Sequence, residues 1–83
     1  MSIDFSVESN IQSRRIEAVL AIMHQSQLAQ TDEYTELFYA LREMKKHKDF
    51  RGADIAIKTI FREISSNKAV TRRVKSRIQL AAF

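Results

Sequence analysis

Cysteine, proline and tryptophan are absent from this 83-residue chain, and glycine occurs once, at Gly52. Without cysteine there is no disulfide framework, no thiol chemistry and no Cys-ligated zinc site. The fold must then rest on packing within the chain, against a copy of itself or against a partner. One glycine and no proline leave almost no material for tight hairpin turns, which argues against an all-β fold. Long apolar runs are missing too. The longest, Ala18 to Met23, has six residues, where a membrane-spanning helix needs about 20. The opening Met1-Ser2-Ile3-Asp4-Phe5 lacks the basic segment and apolar stretch of a secretory leader. The expectation is a cytoplasmic protein with no membrane span.

What is present reads as an ordinary globular composition. Hydrophobic residues make up 45% of the chain, too many for a disordered segment. The length supports a single helical domain over residues 1–83, with no repeat, low-complexity tract or linker to divide it. Ile3, Phe5 and Val7 alternate with Ser2, Asp4 and Ser6, a period of two that suits a short strand or an extended arm. No second strand pattern exists to pair with it, so an extended N-terminal arm is expected.

From Ser9 the period changes. Ile16, Val19, Leu20 and Met23 fall at i, i+3, i+4 and i+7, one face of a helix capped by Ser9 or Asn10 and ending near Ala29. Ile11, Ala18 and Ile22 form a second stripe on its other side, so this helix must be central in its bundle or buried in an oligomer. Thr31, Asp32 and Glu33 read as the opening of a second helix: a hydroxyl cap, then two carboxylates in the first turn. That helix carries Tyr34, Leu37, Phe38, Leu41 and Met44 on one face and runs out through Lys45, Lys46, His47 and Lys48. A turn is expected at residues 49–52, where the stripe loses phase and the glycine falls. A third helix over Ala53 to Ile64 carries Ala53, Ile57, Ile60, Phe61 and Ile64, with Asp54 four residues before Lys58. After Ser65-Ser66-Asn67, a fourth presents Val70, Val74, Ile78 and Ala81 on a narrow face. Together these define an all-α protein, a small bundle of about four amphipathic helices with a short extended N-terminal arm.

Charge is unevenly placed. The chain is net +4, with residues 1–40 at −4, residues 41–63 at +3 and residues 64–83 at +5. The last stretch holds Lys68, Arg72, Arg73, Lys75 and Arg77 and no acid. With Val70 set at 0° and about 100° per residue, Lys68, Arg72 and Lys75 fall opposite the apolar strip and Arg73 and Arg77 beside it. A helix with a basic back and arginines on one flank suits phosphates or carboxylates, because each guanidinium can grip an oxyanion with two hydrogen bonds. A charged back on a surface helix also serves solubility alone. Against that bland reading stand the absence of acid over 20 residues and the use of Arg at three of five positions.

Sequence-specific nucleic-acid reading finds no support. A helix-turn-helix around Gly52 would need a small residue four before it and an apolar one six after, where Lys48 and Lys58 stand. A ribbon-helix-helix arm would present Ser2, Asp4 and Ser6, with one acid and no base. Catalysis is unsupported as well. His24 reads as a half-buried packing histidine at the stripe's edge and His47 as a solvated helix-end cation. Neither has a carboxylate at ligand spacing, and there is no nucleophile elbow or phosphate-binding glycine loop. No catalytic, metal-binding or cofactor-binding residue is expected.

The function that follows is that of a small non-enzymatic accessory or regulatory protein that binds another protein through apolar helix faces and a basic C-terminal helix. The expected contact residues are Lys68, Arg72, Arg73, Lys75 and Arg77, for an acidic partner, with Ile22, Tyr39 and Ile55 as apolar contacts. The alternative is a nucleic-acid-binding module that holds phosphates through the same bases without reading base edges. The two-striped first helix also offers a homodimer contact.

Overall fold

The structure is a computed structural model that describes the backbone of residues 3–83 and the side chains of residues 10–83. Four helices follow one another: α1 (Ile3–Gln25), α2 (Asp32–Lys46), α3 (Phe50–Ser66) and α4 (Arg72–Ala82), with a single 3-10 turn, Leu28–Gln30, between α1 and α2. Among the described residues there is no strand, and no helix is long and apolar enough to cross a membrane. The all-α bundle expected from periodicity is what forms.

Each helix runs antiparallel to the next. Lys45 at the end of α2 reaches Glu17 in α1 at 3.7 Å. Asn67, just past α3, donates to Glu33 and to the Tyr34 hydroxyl at the start of α2. Lys75 near the start of α4 reaches the Ser65 carbonyl at the end of α3, and Arg77 reaches Gln25 at the end of α1. The result is an up-down-up-down bundle. Helix α1 touches all three others, α1 and α3 meet across the short diagonal, and α2 and α4 stand apart at the far corners.

That central position explains why α1 is apolar over so much of its surface. Ile16, Val19, Ile22 and Met23 are all buried in one core with Leu28, Tyr34, Leu41, Ala53, Ala56, Ile57, Ile60, Ile64, Val70, Ile78 and Ala82. On a helical wheel the four α1 residues spread over about 120°, enough to face three neighbours at once. No charged or polar residue other than the Tyr34 hydroxyl enters this core, and Asn67 satisfies that hydroxyl at 2.9 Å.

Several boundaries differ from the sequence reading, each for a local reason. The expected N-terminal arm is helical from Ile3 onward. The spacing Ile3, Val7, Ile11 is also a four-residue period, and a helix satisfies its own backbone hydrogen bonds where a lone strand cannot. Met1, Ser2 and the side chains through Ser9 lie outside the described residues. Ser9 and Asn10 fall inside α1, past its first residue Ile3, and not at its start. α1 stops at Gln25 instead of Ala29, because Gln27 turns left-handed at φ 66°. Thr31 stands at the N-cap of α2 as expected, but its hydroxyl donates back to the Leu28 carbonyl at 2.7 Å instead of accepting from the helix. α3 starts at Phe50, three residues early, and runs through Ser66.

The turn between α2 and α3 shows how a chain with one glycine manages. Lys48, not Gly52, takes the left-handed conformation, at φ 57°. The Asp49 N–H returns to the Met44 carbonyl at 2.8 Å and the Lys48 N–H to Lys45 at 3.1 Å, a Schellman closure with lysine in the place glycine usually holds. Asp49 then caps α3 by accepting from the Gly52 N–H at 3.0 Å. Gly52 lies within the first turn of α3, where a Cβ would come within 2.9 Å of the Asp49 carboxylate carbon. The glycine is there for the cap and not for the turn.

Lys48→Gly removes the left-handed strain and is expected to raise unfolding free energy by about 1 kcal/mol. Gly52→Ala should not show the roughly 1 kcal/mol gain usual for that exchange inside a helix, because the new methyl displaces the Asp49 cap. Urea denaturation of both variants checks the pair; an unchanged Lys48→Gly midpoint would contradict the turn assignment.

Candidate functional site

The buried strip of α4 is thin, and that fixes where its cations go. Ile78 and Ala82 are buried along the helix and Val70 just before it, while Val74 and Ala81 are half-buried. The rest of the circumference faces solvent. Arg72, Arg73 and Arg77 are exposed on it, and Lys75 is half-buried. Lys68 is exposed as well, but in the turn before α4, so it extends the basic surface without belonging to the helix back.

Among the described residues, none of these five bases forms an ion pair with a carboxylate; the pairs that form are Arg15–Asp54, Lys58–Asp54 and Lys45–Glu17. Two of the five have structural hydrogen bonds. Lys75 Nζ donates to the Ser65 carbonyl at 3.4 Å, in the last turn of α3, where the helix dipole favours a cation. Arg77 Nη2 donates to Gln25 Oε1 at 2.9 Å.

Arg72 and Arg73 are the first two residues of α4, behind the Thr71 N-cap, whose Oγ1 accepts from the Val74 N–H at 3.3 Å. No acid stands in that first turn. A helix N-terminus already carries the positive end of its dipole, so two arginines there act against helix stability and raise the local positive potential. Among the described residues, none neutralises that end of α4.

The C-terminal end of α4 is held by a residue the sequence reading passed over. Arg15 of α1 donates from Nε to the Ala82 carbonyl at 2.6 Å and lies 3.6 Å from Asp54 of α3. One guanidinium therefore satisfies a terminal carbonyl of α4 and ties α1, α3 and α4 together. No local pattern could have pointed to it, since Arg15 and Ala82 are 67 residues apart.

The expected apolar contacts divide. Tyr39 and Ile55 are exposed, at 53% and 63%. Tyr39 stands edge-on to Phe38 at 5.3 Å in a groove of about 810 Å³ between α1 and α2. No residue of α3 or α4 lines that groove, so Tyr39 does not join the basic surface. Ile22 is a correction: it is 6% exposed and part of the core, because at about 100° per residue it lies only about 60° from Val19, on the edge of the buried face. It is no contact surface for a partner or a second copy. His24 is exposed on the rim of the α1–α2 groove and not half-buried. His47 is an exposed helix-end residue, the C-cap of α2.

Ile11 of the second α1 stripe is exposed at 57%, and two exposed apolar residues, Leu80 at 84% and Phe83 at 61%, were not among the expected contacts. A wheel could have found Leu80, since it falls at about 280° from Val70, beside Arg73 and Arg77. No known protein family, curated protein or solved structure matches this chain.

If the arginines of α4 are a free surface, Arg72→Glu with Arg73→Glu should raise stability, by about 0.3–1 kcal/mol for each charge placed at the helix N-terminus. Arg15→Met should lower it by about 1–3 kcal/mol, through loss of a charge-assisted bond to a buried carbonyl. Thermal and urea unfolding distinguish the two; a destabilised Arg72→Glu/Arg73→Glu variant would mean those side chains belong to the fold.

Proposed function

We propose that this chain is a small non-enzymatic accessory or regulatory protein that binds an acidic partner protein, with the basic face of α4 as its electrostatic contact. The observation that carries the reading is the cluster Lys68, Arg72, Arg73, Lys75 and Arg77: five cations at one end of the bundle with no ion-pair partner among the described residues. Two of them stand where the helix dipole makes them unfavourable to the fold. Residues kept at a cost to stability are candidates for a role outside it. Unpaired surface charge of one sign accelerates encounter with a partner of the other sign and sets its orientation.

The same cations suit nucleic-acid phosphates, and salt separates the two readings. A complex with duplex or single-stranded nucleic acid would lose orders of magnitude in affinity between about 50 and 200 mM salt. The protein reading expects no such complex at low salt. It expects instead that full-length protein captures a defined protein from its native host, and that Arg72→Glu/Arg73→Glu releases it with helical content unchanged. A double variant that still binds its partner removes the basic-helix reading in both forms. With Ile22 in the core, the free protein is expected to sediment at its single-chain mass of 9.6 kDa; twice that mass would restore the homodimer.

A further inference from the structure

The exposed apolar residues of α1 and α4 meet on one face. Ile11, Ala18, Leu80 and Phe83, with Arg14 and Arg15, line a groove of about 530 Å³ between the two helices. Phe83 is set by edge-on contact with Phe61 at 5.4 Å. The small Ala18 and Ala81 share this shallow lining with the larger Ile11, Leu80 and Phe83. Towards the start of α4 the same wheel position passes from Leu80 to Arg77 and Arg73, at about 280–340° from Val70. Arg14 is exposed on the α1 side. Asp54, the carboxylate that reaches Arg15, is shared with Lys58. One face therefore carries an apolar end and a cationic end, and among the described residues no acid pairs with Arg14, Arg73 or Arg77.

We infer that the α1–α4 face is a docking groove for an acidic amphipathic helix of a partner protein. The partner's apolar residues seat against Ile11, Leu80 and Phe83, and its carboxylates meet Arg14, Arg73 and Arg77. This rests on the protein-binding reading above and adds to it the apolar anchor, the groove and the secondary structure of what binds. A helix fits because apolar anchors at i, i+3, i+4 and i+7 form a stripe that can lie along the groove between two helices, with its carboxylates on the flank towards the arginines. Charge selects the occupant. A second copy placed face to face would bring more cations and no described carboxylate to meet Arg14, Arg73 and Arg77.

The test is selection of helical peptides of about five turns from a display library on the full-length protein, with affinities then measured on variants. Leu80→Ala and Ile11→Ala are chosen because both side chains are mostly exposed, and an unchanged denaturation midpoint confirms that each still folds. The expected outcome is enrichment of peptides that combine a helical apolar stripe with acidic residues. Their affinity should fall roughly tenfold with Leu80→Ala, and fall also with Arg72→Glu/Arg73→Glu. Peptides weakened by the arginine exchanges but indifferent to Leu80→Ala and Ile11→Ala overturn the groove and leave the basic-surface reading standing. Peptides indifferent to both sets, or no enrichment, overturn both. Phosphatidylserine–phosphatidylcholine vesicles that bind the wild type and release Leu80→Ala would reassign the face to a membrane and overturn the inference.

Discussion

Everything distinctive about this molecule follows from how α4 is held. It has eleven residues, too few to be a stable helix alone, and it is kept in place by Ile78, Ala82 and the preceding Val70 in the core and by the Arg15 bond to the Ala82 carbonyl. Those attachments use one narrow strip and one end. The guanidinium of Arg15 satisfies the C-terminal carbonyl, where a cation is favourable, and the other end is left with Arg72 and Arg73, where cations are not. The helix is thus electrostatically settled at one terminus and unsettled at the other. That asymmetry places the free positive charge of the chain on a surface that the core does not need.

Four of the described acids are engaged elsewhere in the bundle. Asp54 serves Arg15 and Lys58, Glu17 serves Lys45, Glu33 accepts from Asn67, and Asp49 caps α3. Each has work within helices α1 to α3 or at their ends, and none is oriented to neutralise α4. The charge gradient of the sequence becomes a spatial one because the up-down order brings the start of α4 beside the ends of α1 and α3, away from the Arg15–Asp54 tie at the opposite end of the bundle.

The fold was legible wherever the signal was periodic within one helix. The stripes of Leu41, Ile57, Ile60, Ile64 and Ile78 named most of the core, and of the two places expected for α1, central in its bundle or buried in an oligomer, the bundle shows the first. The reading failed where the deciding contact is distant or conformational. Ile22 was read as part of a separate stripe, but at about 100° per residue it lies only about 60° from Val19 and continues the buried face. Lys48 gave no sign of its left-handed backbone, since composition points to glycine for that role. The N-terminal arm was read from seven residues in which a two-residue period and a four-residue period coincide. Of the site, the five bases were legible as charge without acid; their freedom from carboxylates was not, because it depends on where α1 and α3 place theirs. Leu80 and Phe83 were visible as apolar, but their meeting with Ile11 across α1 and α4 required the tertiary structure.

The most direct test of the central claim is amide chemical-shift mapping of the folded protein during titration with a short polyglutamate peptide at low salt. The account expects shifts concentrated on Lys68, Arg72, Arg73 and Arg77 at the start of α4 and abolished by modest salt. Shifts centred instead on Arg42, Lys45 and Lys46, or spread evenly over all the basic residues, would contradict it, because the start of α4 would then hold no special positive potential.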